Sequence, residues 1–124
     1  MHKSRLGGIL IDCQTEDPES AARFWSEALG HPAQPRQAES PYVDLDTPDR
    51  EPYMVVQAVD HASRVHIDIE TDNIEAEVSR LIALGAREID RINSWVVMQA
   101  PTGQRFCIVP VESKHFYATA NTWV

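Results

Sequence analysis

Residues 64–73, RVHIDIETDN, set His66, Asp68 and Glu70 at every second position, alternating with Val65, Ile67 and Ile69. Such alternation predicts a strand with one apolar face toward a core and one polar face away from it. An imidazole and two carboxylates on one face can hold a divalent ion, contact a polar ligand or move a proton. Cys107, in QRFCIVP at 104–110, adds a thiol on a second strand-like run, and Asp12, in GGILIDC at 7–13, a further carboxylate. A His66–Cys107 nucleophilic pair is chemically feasible if those strands are neighbours, but no third group that would orient the imidazole is evident. Tyr53 and Trp95 each open an apolar run, where an aromatic ring can stack on a flat or cationic ligand or pack on its own sheet.

These residues must be positioned by a small set of elements. Asp17-Pro18 is a helix start, an oxygen cap followed by a residue suited to the first helical position. Ala21, Phe24, Trp25 and Ala28 then make one apolar face, assigned to the core, and the helix stops at Leu29-Gly30. A second helix follows Asp72, with Glu75 completing a capping box, and stops at Leu84-Gly85. Asp17 and Asp72, Leu29 and Leu84, and Gly30 and Gly85 are related by one constant offset. A strand precedes each helix and three strand-like runs follow it. After the first helix they lie near 34–39, at 42–46 and at 53–59; after the second, at 86–92, 94–100 and 104–110. Pro32 and Pro35 make the run at 34–39 the weakest, because proline cannot donate to a sheet ladder. The turn PTGQ at 101–104 suits a hairpin, with Gly103 free to take positive φ.

The chain therefore reads as a tandem repeat of a strand–helix–three-strand unit, an α+β protein. Two βαβββ units, about 6–60 and 62–111, are expected to form one domain over 1–111. Its expected shape is an eight-stranded open cup with the helices outside and the ligand site on the inner face. Residues 112–124 form an aromatic tail, with Phe116, Tyr117 and Trp123, expected to cover the cup or a dimer partner.

With 124 residues and 43% hydrophobic content there is material for a core, and no apolar run approaches the ~20 residues of a membrane span. A net charge of −8 argues against nucleic acid and anionic membranes as partners. Cys13 and Cys107 fall inside strands without CxxC spacing, which suggests reduced thiols and, with no leader segment, a cytoplasmic protein.

The phrases DPESAARFWSEALGHP (17–32), RVHIDIETDNIEAEVSRLIALGA (64–86) and WVVMQAPTGQRFCIVP (95–110) resemble the vicinal oxygen chelate superfamily. This is the fold of glyoxalase I, bleomycin-resistance proteins and extradiol dioxygenases, and the nearest subgroup is the glyoxalase-like domains of unassigned function. The resemblance implies metal ligands on the first and last strands of each unit. His66 matches such a position, whereas Cys107 stands where the family pattern has Glu. The constant offset maps His66 onto Ile11, with Asp12 beside it, and the remaining position falls at Met54, with Val55 beside it.

The expected function is accordingly a small molecule bound in the cup without a catalytic metal or other cofactor. Its expected contacts are His66, Cys107, Asp12, Asp68, Trp95 and Tyr53. The resemblance also implies a homodimer, and −8 net charge favours a cationic ligand. The alternative is a metal-dependent lyase, isomerase or dioxygenase with a divalent ion on His66 and Asp12.

Overall fold

The computed structural model describes residues 1–124. The elements run β1 (His2–Gln14), α1 (Pro18–Leu29), β2 (Tyr42–Leu45), β3 (Tyr53–Val59), β4 (Arg64–Thr71) and α2 (Ile74–Ala83). There follow β5 (Arg87–Ile92), β6 (Trp95–Gln99), β7 (Arg105–Pro110), α3 (Phe116–Thr119) and β8 (Asn121–Trp123). The strands form an open, mixed eight-stranded sheet in the order β2-β3-β1-β4-β7-β6-β5, with β8 on β1. The repeat shows in the pairings: β1 runs parallel to β3 and β4 parallel to β7, while β2/β3, β5/β6 and β6/β7 are antiparallel. None of the helices is long and apolar enough to cross a membrane. The chain divides into two compact units, residues 8–65 and residues 66–124 together with 1–7.

In the first unit Asp17 caps α1 by accepting from the Ser20 N–H, and Gly30 ends it in the left-handed conformation, φ 75°. The core is Ala22, Val43, Leu45 and Val56, with Cys13, Ala21, Trp25 and Met54 packed against it. Phe24 departs from the sequence reading. It is 62% exposed and meets the Trp25 ring edge-on at 5.1 Å. The buried line of α1 runs through Ala22 instead, so Phe24 falls at its outer edge. The weak run at 34–39 is not a strand. It is reduced to a single bridge, Ala33 to Leu45, supported by Gln34 N–H to Asp44 and Asp46 N–H to Pro32. Pro32 and Pro35 deny it further ladder bonds, and the eighth strand is β8.

In the second unit the core is Val78, Leu81, Ala86, Val96, Met98, Phe106 and Ile108, against which Ile69 and Ile74 pack. Two local readings are corrected. The cap of α2 is Asn73, which accepts from the Ala76 N–H; Asp72 instead accepts from the Lys3 N–H at 2.8 Å. On β4, Ile69 meets the core, but Val65 and Ile67 are 60% and 40% exposed. Their side of the strand extends beyond what α2 covers.

The tail is built into the second unit. β8 pairs with His2–Ser4, Phe116 is fully buried, and the Trp123 indole N–H donates to Ser4 Oγ at 2.8 Å. The Arg80 guanidinium lies 3.9 Å above the Trp123 ring. Fully buried Glu77 accepts from Arg80 Nε and Nη2 at 2.8 Å each and lies 2.8 Å from His2 Nε2. Desolvation pushes the Glu77 carboxyl upward, but hydrogen bonds from Arg80, Ser4 and His2 outweigh it and hold the group below the ordinary glutamate value.

Candidate functional site

Alternation fixes which side chains share a face. Ile69, Val96, Met98, Phe106 and Ile108 belong to the core under α2. The residues between them point the other way: His66, Asp68 and Glu70 on β4, Cys107 and Val109 on β7, Trp95 and Val97 on β6. Register then places Cys107 opposite Asp68 on one side and opposite Val97 on the other. One donor atom each of His66, Asp68 and Cys107 lies within 4.8 Å of the other two. Asp68 is buried, while His66 and Cys107 are half-buried. Trp95 begins β6 on the same face.

Glu70, two residues further on, has a different task. It is fully buried and accepts from the backbone N–H groups of Glu112 and Ser113 at 2.8 and 3.0 Å, and from the Ser113 hydroxyl at 2.7 Å. Arg5 Nε lies 3.7 Å away, and Arg5 also donates to Thr119 Oγ1 at 2.7 Å. A Cβ on Gly7 would stand 2.3 Å from Glu70 Cγ, so only glycine lets this carboxylate lie across β1. Glu70 thus anchors the start of the tail on the face that carries the cluster. Sequence reasoning missed this anchor. The Gly7-Gly8 pair inside a strand was the available signal of a close approach.

Asp12 and Tyr53 lie in the first unit and have partners there. Asp12 is buried and lies 3.5 Å from Arg64 Nε. The Tyr53 ring crosses Gly8, where a Cβ would come within 2.0 Å of it. The mapping of His66 onto Ile11 also fails. Ile11 pairs with Val56, a core residue, and Cys13 packs on the same core, so Ile11 shares the α1 side. Met54 packs there too. Leu10 and Asp12 face the other way. With the cap of α2 at Asn73 rather than Asp72, the strands and helix starts align so that Asp68 matches Asp12 and His66 matches Leu10.

A family model described as glyoxalase-like domain matches residues 8–109. The chain belongs to this family. Among solved structures, a hypothetical protein from Bacillus halodurans is 10% identical, with a TM-score of 0.62 over 90% of this chain and 96% of that one. A methylmalonyl-CoA epimerase in complex with methylmalonyl-CoA and NH4+ is 17% identical, with a TM-score of 0.59 over 92% of this chain and 97% of that one. The methylmalonyl-CoA epimerase from Mycobacterium tuberculosis is 13% identical, with a TM-score of 0.61 over 88% and 89% of the two chains. These likenesses establish the glyoxalase-like fold. No curated protein matches the chain.

The donors of this glyoxalase-like domain fit one kind of metal better than another. His66, Asp68 and Cys107 offer one nitrogen, one oxygen and one sulfur. That is a set for a borderline or soft divalent ion with a fourth position open. Mg²⁺ and Ca²⁺ require mainly oxygen ligands and are poorly served.

Proposed function

We propose that this protein binds a small molecule on the face made by β4, β7 and β6, with His66, Asp68 and Cys107 as its polar contacts and Trp95 as its aromatic border. The observation that carries this reading is the convergence of the three polar side chains on a rigid sheet. Charge narrows the ligand. Asp68 is buried at the site, Arg5 is engaged by Glu70 and Thr119, and the chain carries −8. A cationic or uncharged ligand suits this better than a polyphosphate. The epimerase relatives support the use of this fold for small molecules, but a coenzyme A ester would need cationic partners for its phosphates.

A thermal-shift panel of planar cations, neutral aromatics and anions tests it. A cation at 100 times its Kd should add about 2.7 kcal/mol, and Asp68→Asn should remove most of that gain. Equal stabilisation by anions, or gains untouched by Asp68→Asn, would overturn the reading. A metal-dependent lyase, isomerase or dioxygenase is the second reading, favoured by the presence of three donors rather than the two expected. A cytoplasmic homodimer completes the proposal; exposed Leu6, Val65 and Ile67 support the association, and light scattering of Ile67→Lys against the parent tests it.

A further inference from the structure

We infer that Cys107 is a nucleophile toward small α,β-unsaturated carbonyl compounds, with His66 as the base that takes its proton and Asp68 as the residue that positions the imidazole. The inference rests on the site proposed above and deepens it by naming the class of ligand the three side chains take.

In the sequence the His66–Cys107 pair lacks a group to orient the imidazole, and the strand pairing supplies one. His66 and Asp68 are two apart on β4 and share a face, and the β4–β7 register sets Cys107 against Asp68. One ring nitrogen of His66, one carboxylate oxygen of Asp68 and Cys107 Sγ lie within 4.8 Å of one another. Proton transfer needs contacts of about 3 Å, which small side-chain rotations reach as a ligand settles. Asp68 is buried, so its charge is held at the site, while half-buried His66 and Cys107 present surface to a ligand. Glu70 steadies the same strand by tying it to Glu112 and Ser113. Cys13, the other thiol, instead packs on the core under α1 and donates to Ile11 O at 3.5 Å.

The surroundings select the reaction. Asp68 accepts the N–H of a neutral imidazole, which leaves the other ring nitrogen to take the thiol proton. The same carboxylate disfavours a standing thiolate and favours the imidazolium, so the proton leaves sulfur as the new bond forms. Sγ bonds to the alkene carbon β to the carbonyl, the C=C electron pair moves to the α-carbon, and the imidazolium returns its proton there. The net change is addition of S–H across C=C. Nothing is oxidised or reduced, and no co-reactant is needed. Acyl transfer fits less well. Cys107 is paired on both sides, with Asp68 on β4 and Val97 on β6, so the backbone N–H groups around it are spent in ladders rather than aimed at an oxyanion. Conjugate addition spreads its charge into an enolate, which the imidazolium quenches.

The test uses the full chain with chelator present and 2-cyclohexenone as a neutral probe, read by intact mass and peptide mapping. Expected are one adduct, on Cys107 rather than Cys13, and a rate that saturates with probe concentration. At low probe concentration it should exceed the rate of N-acetylcysteine at least about 100-fold, and His66→Ala should remove that advantage. Near-UV circular dichroism checks folding, and His66→Gln replaces a misfolded alanine variant. Asp68→Asn should lower the saturating rate at least about 10-fold and leave the half-saturating concentration unchanged, a split that a merely structural loss would not give. Labelling of Cys107 at the N-acetylcysteine rate overturns the inference. So does a rate untouched by His66 substitution, preferential labelling of Cys13, or a requirement for added Zn²⁺. If the cation panel stabilises the chain while Cys107 labels at the N-acetylcysteine rate, this inference fails and the small-molecule reading stands. If labelling is as expected while the panel is silent, the reverse holds.

Discussion

Asp12 and Asp68 occupy matching places in the two units, and they have different fates. Each is buried on the face of its strand turned away from the helix. Asp12 stands opposite Gln57 in register, follows Leu10 on its own face, and is paired with Arg64. Asp68 stands opposite Cys107 and follows His66, and the three donors meet. One backbone plan has thus been given an ion pair in the first unit and a nitrogen, oxygen and sulfur set in the second. The comparison shows that the repeat fixes where a carboxylate is held, while its neighbours decide what the carboxylate does.

The largest expected effect separates Glu70 from its counterpart Gln14. Gln14 is exposed and donates through its side chain to Asp60 O, whereas Glu70 is the buried anchor of the tail. Glu70→Ala should cost about 3 kcal/mol in urea unfolding, because Arg5 loses its ion-pair partner and two tail N–H groups and the Ser113 hydroxyl lose their acceptor. Gln14→Ala should cost under about 1 kcal/mol. Equal losses would break the contrast.

Glu77 has no acidic counterpart in α1, where Ala21 holds the matching position. Its carboxyl is held below the ordinary value of 4.5, so the native state favours the ionised form. Its contribution is complete above that value and is lost as pH falls through the lower native pKa. Glu77→Gln should cost about 2 kcal/mol at neutral pH and flatten the acid limb of the stability curve. Hydrogen exchange on acidification should loosen α2 and β8 before α1. Simultaneous loosening would deny the second unit its special acid sensitivity.

A smaller effect sharpens the site comparison. His66→Leu combined with Cys107→Gln gives the second unit the side chains of the first. Stability should change by no more than about 1 kcal/mol, since no helix-side core contact is lost, while stabilisation by the cation panel falls. Retained stabilisation would show that the two faces differ in something other than these donors. The smallest effect concerns α1. Phe24→Ala, at an exposed ring with one edge-on neighbour, should cost under about 1 kcal/mol by thermal unfolding.

Much was legible in the sequence, because the signals were local. Alternation in RVHIDIETDN placed His66, Asp68 and Glu70 on one face, and Asp17, Pro18 and Gly30 marked the ends of α1. The repeat pointed to an eight-stranded open fold, which the structure bears out. Tertiary structure decided what depends on contacts distant in the chain. Strand register is set by pairing, and a slip of one residue exchanges the two faces. The cap at Asn73 corrected such a slip, turning Ile11 and Met54 toward the core and Asp12 away from it. Register also chose Cys107 as the neighbour of Asp68, and return of the tail made Glu70 an anchor. The sequence by itself determined which donors exist and which of them share a strand. Only long-range pairing decided that three meet, because no local preference specifies the partner of a strand.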